Sequence, residues 1–184
     1  MHKIFAGLVL VLLAFAIPLA EADQKDPRLD KLFVQLKGAT NPGESRPIEA
    51  KIWEIWMESG DQNVDALMAI GTAALNDQDY GQAYRAFGRV IQLAPKFAEG
   101  WNKRATALYL LGRFQDSMKD IDKTLALEPR HFGALSGLGL CNAQLGNEKE
   151  ALDAFEKALA INPNMPGIQQ DADELKKSLA AKSI

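Results

Sequence analysis

Three prolines in the second half of the chain, Pro95, Pro129 and Pro163, stand at equal intervals of 34 residues. The same step relates four further sets of similar side chains: Leu67, Trp101 and Leu135; Gly71, Ala105 and Gly139; Ala83, Ser117 and Ala151; Phe87, Ile121 and Phe155. A fixed period of roughly 20 to 50 residues is typical of a solenoid, whose units are too small to bury their own apolar faces. The spacing therefore predicts a stack of similar units.

Each unit is predicted to be a pair of antiparallel helices. In the middle unit, one face of the first helix carries Trp101, Arg104, Ala105 and Leu108, and one face of the second carries Ser117, Ile121, Thr124 and Leu125. Gly112 is expected to end the first helix, because glycine adopts the left-handed cap conformation without steric cost. Pro129 is expected to end the second helix. Small residues at the positions of Ala105 and Ser117 would let the two backbones approach closely.

The repeated unit resembles the tetratricopeptide repeat family, whose 34-residue pattern places Trp or Leu, Leu, Gly, Tyr, Ala, Phe, Ala and Pro at set positions. The third copy matches it through Leu135, Leu138, Gly139, Ala151, Phe155, Ala158 and Pro163. Departures from the pattern are Arg104 for Leu; Ala74, Leu108 and Asn142 for Tyr; and Val90 and Thr124 for Ala. None of them breaks the helical hairpin. The resemblance implies three repeats within residues 63–165, at 64–97, 98–131 and 132–165.

The first 22 residues form a segment of a different kind. His2 and Lys3 give a short basic end, residues 4–19 are apolar, and residues 20–22 (Ala-Glu-Ala) place small side chains at alternate positions. This pattern is typical of a secretory signal peptide that is cleaved after Ala22. The alternative is an uncleaved anchor in the inner membrane, because the apolar run approaches the roughly 17 to 25 residues that span a bilayer. We therefore expect a periplasmic or secreted protein.

Residues 23–62 precede the repeats and do not share their phase. Two amphipathic stretches, 27–36 and 48–57, flank a run rich in Gly, Pro and Asn that favours a turn. This pattern predicts a degenerate helical hairpin that caps the open end of the first repeat. Trp53 and Trp56 are interpreted as core residues, and a binding surface is the alternative.

Residues 166–184 follow the third repeat and are predicted to contain a capping helix with a short tail. Apolar residues recur at helical spacing: Ile168, Ala172, Leu175 and Leu179. Acidic and basic side chains fill the opposite face, as the end of a solenoid requires for solubility. Because acids interrupt the basic residues, this helix is not expected to bind an anionic membrane.

Composition and the rare reactive residues argue against catalysis. The chain has a net charge of −3, and its basic residues are scattered among acids, which argues against a nucleic-acid partner. The only cysteine, Cys141, excludes an intramolecular disulfide and is interpreted as a buried packing residue. His131 is the only histidine after the predicted cleavage site, so neither a metal site nor a Ser-His-Asp triad is predicted. We expect no catalytic residues, no metal and no cofactor.

In the family that this sequence resembles, the first helix of each unit lines a concave groove that binds a peptide or helix of another protein. The resemblance implies a groove lined by Met68, Thr72 and Leu75, by Asn102, Thr106, Tyr109 and Leu110, and by Ser136, Leu140 and Gln144. This mixture of amide, hydroxyl, aromatic and aliphatic groups suits an extended or helical peptide. At each single position a solvated helix face is the alternative.

The sequence argues against one subtype of the family. Members that capture the C-terminal carboxylate of eukaryotic chaperones carry Lys, Asn and Arg early in their first helices. The corresponding residues here are Asp65, Ala69, Glu99, Lys103, Gly133 and Gly137. The resemblance therefore implies that the cationic clamp is missing. Lys103 could meet an anion, but Glu99 lies one turn away and is expected to neutralise it.

We therefore expect an all-α, right-handed helical-hairpin solenoid of three repeats, with the N-terminal hairpin and the C-terminal capping helix at its ends. The predicted function is a noncatalytic scaffold or adaptor in the bacterial cell envelope, which binds a protein or peptide partner in its groove. The alternative is a structural subunit of a homo-oligomer or of a fixed envelope complex. No nucleic acid is expected as a partner, nor stable membrane insertion after signal cleavage. The partner's identity and the oligomeric state stay open.

Overall fold

A computed structural model describes residues 26–182, which form nine α-helices. They are α1 (Pro27–Gly38), α2 (Pro42–Met57), α3 (Gln62–Asn76), α4 (Tyr80–Leu93), α5 (Ala98–Leu110), α6 (Phe114–Leu127), α7 (Phe132–Gln144), α8 (Glu148–Ile161) and α9 (Pro166–Ala181). The predicted all-α architecture is confirmed, since no strand occurs in this range. The signal segment predicted for residues 1–22 lies outside the described residues.

Several helices begin where a polar side chain can satisfy the free backbone N–H groups of the first turn. Asn41 accepts hydrogen bonds from the backbone of residues 43 and 44, and Asp61 accepts from residues 63 and 64. Asp79 accepts from Gln82 at the start of α4. Such caps typically stabilise a helix by about 1 kcal/mol. The sequence therefore sets these helix boundaries locally.

Each turn between the two helices of a repeat contains one residue with a left-handed backbone. Gly112 has φ +73° and Gly146 has φ +78°, which confirms the role expected for glycine at this place. Gln78 occupies the same place in the first repeat with φ +60°. A side chain with a Cβ is disfavoured in this conformation. The first repeat therefore holds a strained residue where its neighbours hold glycine.

The two helices of each repeat meet through small residues, as the size alternation in the sequence predicts. A Cβ placed on Gly71 would lie 2.5 Å from the Phe87 ring, and one on Gly139 would lie 2.3 Å from the Phe155 ring. These contacts exclude any larger residue at either glycine. In the middle repeat the corresponding residues, Ala105 and Ile121, lie in one buried cluster, and the Ser117 hydroxyl also donates to the Ala105 carbonyl across 2.8 Å.

The last helix, α9, covers the end of the third repeat. Ala172 is fully buried and packs in one cluster with Ala151 and Phe155. An ion pair of 2.6 Å between Lys182 and Glu148 joins the end of α9 to the start of α8. Within residues 26–182 we find no helix with the length and apolar character needed to cross a bilayer.

The N-terminal hairpin is present, but its predicted position over the open end of the first repeat is wrong. Its core residues, which include Leu29 and Trp56, form one cluster with Phe132 of α7, against which Ile161 and Met165 also pack. The core of the hairpin thus lies against the second and third repeats, and Met57 at the end of α2 packs on the first. Large aromatic side chains on α2 find ring partners there, whereas the outer face of α3 offers mainly alanine. The hairpin therefore packs on aromatic residues of α7 and not on the repeat that follows it in sequence.

Candidate functional site

A cavity of about 180 Å³ lies between the first helices of the second and third repeats, α5 and α7. Five of the ten predicted groove residues line it: Asn102, Thr106, Tyr109, Ser136 and Leu140. The other lining residues are Ala105, Ser117, Ile121, Gly133 and Gly137. The structure therefore brings half of the predicted set together around one concave surface, which we call the central cavity.

The depth of the central cavity depends on small residues in α5 and α7. A Cβ on Gly137 would lie 3.4 Å from Ile121 Cδ1, so any side chain at Gly137 would fill space that is now open. Ala105 and Ser117 are fully buried behind the cavity. The glycines of α7, which the sequence shows on a repeat helix, thus shape a surface depression.

Polar groups around the central cavity are mainly hydrogen-bond acceptors. The Thr106 hydroxyl donates to the Asn102 carbonyl and the Ser136 hydroxyl donates to the Phe132 carbonyl, which leaves the lone pairs of both oxygens able to accept. Asn102 uses its Nδ2 group to donate to Glu99. Its Oδ1 atom stays available as an acceptor. These groups suit a ligand that brings N–H donors, such as a peptide backbone.

Tyr109 forms one wall of the cavity and is half-buried. Its ring packs against Phe114 with the ring centroids 5.4 Å apart. The hydroxyl makes no hydrogen bond within the described part of the chain, which distinguishes it from the hydroxyls of Thr106 and Ser136. Tyr109 therefore offers both flat apolar area and an unused donor to a ligand.

Two more predicted residues, Met68 and Thr72, lie around a separate cavity of about 470 Å³ on α3. Met68 is buried in the core of the first repeat, so only a small part of it can reach a ligand. The Thr72 hydroxyl has no hydrogen-bond partner among the described residues. Leu75 is half-buried, while Leu110 and Gln144 are exposed, and these three residues line neither cavity.

A buried polar cluster at the N-terminal end of α5 was not predicted. The carboxylate of Glu99 is fully buried and accepts from Asn102 Nδ2 at 3.0 and 3.2 Å. His131 Nε2 lies 3.0 Å from the same carboxylate, and His131 Nδ1 accepts the N–H of Ala134 in the first turn of α7. Because Nδ1 is an acceptor, Nε2 carries the proton and donates to Glu99. This chain of bonds fixes α5 and α7 relative to each other.

The position of His131 relative to Glu99 could not be read from the repeat pattern. Its only sequence signal is that both residues occupy sites near the start of a first helix in consecutive repeats. Lys103 forms the ion pair predicted with Glu99, at 3.3 Å, so the expected neutralisation of Lys103 is confirmed. The cluster is therefore internally paired and offers no free cation.

The N-terminal hairpin closes this end of the groove. A Cβ on Gly133 would lie 2.8 Å from Trp53 Cη2, and Lys103 Nζ lies 5.7 Å from the centre of the Trp53 ring. Trp56 is fully buried, which confirms its interpretation as a core residue, and Trp53 is half-buried. The groove positions near Gly133 are thus covered by the chain itself, and the open part begins at the central cavity.

Cys141 lies in α7 and is fully buried, as predicted for a packing residue. Its Sγ donates to the Ser117 hydroxyl at 3.4 Å. Burial raises the pKa of the Cys141 thiol above its ordinary value, so the reactive thiolate is disfavoured. Within residues 26–182 we find no cluster of three His, Cys, Asp or Glu side chains that could hold a metal ion.

Comparisons with known proteins agree with the repeated hairpins. Family models described as tetratricopeptide repeat match residues 68–126 and residues 133–165. A TPR repeat-containing protein of Rhizobium etli is 37% identical over 153 residues, which cover 83% of this chain and 75% of the relative. The Hsp70-Hsp90 organizing protein of Triticum aestivum is 32% identical over 117 residues, which cover 64% of this chain but 20% of that protein.

A similar fold has been solved in the first TPR of Spaghetti (RPAP3), bound to the HSP90 peptide SRMEEVD. The TM-score is 0.63 at 22% sequence identity, and the match covers 65% of this chain and 94% of that one. At this level of identity the likeness concerns the fold alone. It shows that the helical hairpins stack here as they do in that domain.

Proposed function

The chain belongs to the tetratricopeptide repeat family, and on that premise we propose that it is a noncatalytic scaffold or adaptor that holds a peptide or helix of a partner protein. The observation that carries this proposal is the central cavity, where acceptor groups and Tyr109 surround about 180 Å³ of open space. Relatives support it, because a solved member of similar fold is described as bound to a peptide.

The covered end of the groove limits which peptide can bind. Trp53 lies over Gly133, and Lys103 is already paired with Glu99. A ligand that relies on a terminal carboxylate therefore finds no free cation at this place. The acceptors around the central cavity favour an internal segment, which presents backbone N–H groups and one small apolar side chain.

The experiment that tests this proposal is photo-crosslinking in cells that express the protein. A photoreactive residue is placed at Thr106, which is exposed beside the central cavity. The control places the same residue at Lys123, which is exposed on α6. The groove position should yield a defined crosslinked partner that the control does not yield. Identical products from both positions would contradict the assignment of the groove.

The proposed setting is the bacterial cell envelope. The pattern of residues 1–22 supports export through a cleaved signal peptide, with an uncleaved inner-membrane anchor as the alternative. The relative from Rhizobium etli is bacterial, which supports the bacterial setting. N-terminal sequencing of the protein from cell fractions tests the export. We expect a mature chain that begins at Asp23, and an intact Met1 on a membrane-bound form would contradict cleavage.

A second candidate function is that of a structural subunit that associates with its own kind. It is favoured by the outer face of α3, where Ala66, Ala73 and Ile70 are exposed. The corresponding positions in the inner repeats, Ala107 and Ala134 among them, are fully buried under the preceding helix. The first repeat thus keeps a largely uncovered stacking face, because within residues 26–182 only Met57 of the hairpin packs beside it.

Sedimentation over a series of protein concentrations separates the two candidates. A subunit that uses the α3 face should self-associate, and Ile70→Glu should abolish this association. Val34→Glu is the matched control, because Val34 is 75% exposed and lies on the hairpin. A monomer at all concentrations would favour the adaptor.

A further inference from the structure

A third cavity lies on the side of the first repeat that the groove does not use. It measures about 520 Å³ and is lined by Tyr84, Arg85, Gly88, Arg89, Ile91, Gln92 and Arg104. None of these residues lines the central cavity or the cavity on α3. We call it the arginine cleft. Three of its lining residues carry a permanent positive charge, although the whole chain has a net charge of −3.

Arg104 is held rigidly at the base of the arginine cleft. Its Nε and Nη2 atoms each donate to Asp120 across 2.7 Å, in a two-pronged ion pair. The guanidinium also lies over the rings of Tyr84 and Trp101, at 5.7 and 5.1 Å from their centres. These contacts fix the orientation of the guanidinium. Because Asp120 uses only one edge, the Nη1 group stays available.

A glycine keeps that remaining edge of Arg104 open. A Cβ on Gly88 would lie 4.0 Å from Arg104 Nη1, so a larger side chain there would cover the donor. Arg85 and Arg89 flank Gly88 one helical turn apart, and both are exposed. Neither forms an ion pair with another residue between 26 and 182. The cleft therefore presents two free guanidinium groups and the open edge of a third.

Two carboxylates near the arginine cleft are already paired with basic side chains. Asp120 is bound to Arg104, and Asp116 is bound to both Arg113 and Lys119. The α4 sequence itself contains no acidic residue. Arg113 also lies near the cleft, with its guanidinium 5.3 Å from the centre of the Tyr84 ring, but its charge is paired with Asp116. Asp79, the N-cap of α4, lies nearby, since its Oδ1 atom and Arg85 Nη1 would each lie 3.6 Å from a Cβ on Gly81. Because Arg85 and Arg89 form no ion pair within residues 26–182, their guanidinium groups keep the local charge positive.

We infer that the arginine cleft is a docking site for an acidic segment of a partner protein, with Arg85, Arg89 and the free edge of Arg104 as its donors to Asp or Glu carboxylates. Charge-assisted hydrogen bonds between a guanidinium and a carboxylate are stronger than hydrogen bonds between neutral groups. Arg85 and Arg89 stand at i and i+4, where neighbouring side chains lie roughly 5 to 6 Å apart, which matches two carboxylates on one turn of a helix. Leu93, one further turn along, is 50% exposed and adds an apolar contact beside the charges.

The number of free cations favours a protein segment over other polyanions. Binding of an anionic membrane typically needs clusters of about 4 to 8 basic residues. Nucleic acid is typically held by a long basic stripe that follows the phosphates. The arginine cleft has two unpaired cations one turn apart on α4 and the open edge of Arg104 on α5, so it fits a local group of carboxylates.

The test measures binding of a fluorescent oligoglutamate peptide to the full chain by anisotropy, with an oligoglutamine peptide of equal length for comparison. The double variant Arg85→Gln with Arg89→Gln removes the two free guanidinium groups. The matched control, Lys149→Gln with Lys177→Gln, changes the net charge equally on exposed residues of α8 and α9. Circular dichroism checks that all variants keep their helical content.

We expect oligoglutamate to bind and oligoglutamine not to bind. The arginine variant should lose roughly tenfold or more of this affinity, and the lysine control should change it less than about twofold. Chemical shifts of Gly88 and of the arginine side chains should move with peptide concentration. Equal affinities of both variants, or binding only to vesicles of anionic lipid or to inorganic phosphate, would contradict the inference. None of these results depends on the groove, so the groove proposal is judged separately.

Discussion

The indole ring of Trp56 lies flat on the imidazole ring of His131, with ring centroids 4.1 Å apart and an angle of 8° between the planes. His131 in turn accepts the N–H of Ala134 in the first turn of α7 and donates to the buried carboxylate of Glu99. Glu99 also accepts from Asn102, a residue that lines the central cavity. One chain of contacts therefore links the N-terminal hairpin to the groove, so a change in the hairpin should reach the site.

The contact between Trp53 and Gly133 gives the first prediction. Gly133→Ala places a Cβ 2.8 Å from Trp53, which must shift away from α7. We expect this variant to lower the free energy of unfolding by roughly 1 to 3 kcal/mol. Chemical denaturation followed by tryptophan fluorescence measures the change and reports the environment of Trp53.

The control for this prediction is Gly167→Ala in the first turn of α9. No atom lies within 4 Å of a Cβ at Gly167, and alanine favours a helix. The control should leave stability unchanged or raise it slightly. If both variants behave alike, the hairpin does not pack tightly on α7.

The left-handed residue of the first repeat gives the second prediction. Gln78 has φ +60° at the place where the other repeats carry Gly112 and Gly146. Gln78→Gly should stabilise the protein by roughly 1 kcal/mol, because it removes the strain of a Cβ in this conformation. The reciprocal variant Gly146→Gln should destabilise it by a similar amount. Thermal unfolding of the two variants should therefore shift in opposite directions, and equal shifts would contradict this reading of the turn.

The repeat made most of the fold predictable, because a 34-residue step sets helix length, turn position and packing face together. The position of the hairpin was not predictable from this step. Trp53 and Trp56 pack on His131 and Phe132, which lie far away in sequence. The 34-residue period gives no information about such contacts between the hairpin and the repeats.

The family resemblance selected five residues that the structure places around one cavity. It did not predict the hydrogen bonds that their polar groups make. Asn102 was predicted to line the groove, and it does line the central cavity. Its donor is bound to Glu99, whose burial could not be seen in the sequence, because a charged residue at such a position is usually exposed. Asn102→Ala should therefore also cost stability, by roughly 1 to 3 kcal/mol.

The small residue at the start of α8 gives a third prediction. Ala151 is fully buried beside Phe155 in the cluster that α9 covers. Ala151→Leu should overpack this site and cost roughly 1 to 3 kcal/mol. Ala160→Leu is a suitable control, because Ala160 is exposed on the same helix. An unchanged melting temperature for Ala151→Leu would show that the assumed helix contact is wrong.

The thiol of Cys141 gives a fourth prediction. Because burial raises its pKa, the folded protein holds the thiol proton at a pH where the unfolded chain has released it. This contribution to stability is fully present below the unfolded thiol pKa of about 8.5 and is lost as pH rises toward the folded pKa. Stability of the native chain should thus fall at alkaline pH by more than that of Cys141→Ala. Parallel pH dependence of the two proteins would contradict the assignment.

The central claim is that the partner binds in the central cavity, and the affinity of the crosslinked partner for groove variants tests it most directly. Tyr109→Ala should weaken binding by about 2 kcal/mol or more, because central aromatic contacts carry much of an interface's energy. Thr106→Arg should weaken it as well, since the new side chain fills the cavity from an exposed position that tolerates substitution. Lys119→Ala, at a residue that is 74% exposed, is the control. The account predicts two folded variants that lose the partner while the control keeps it; variants that stay folded and bind as well as the control would contradict it.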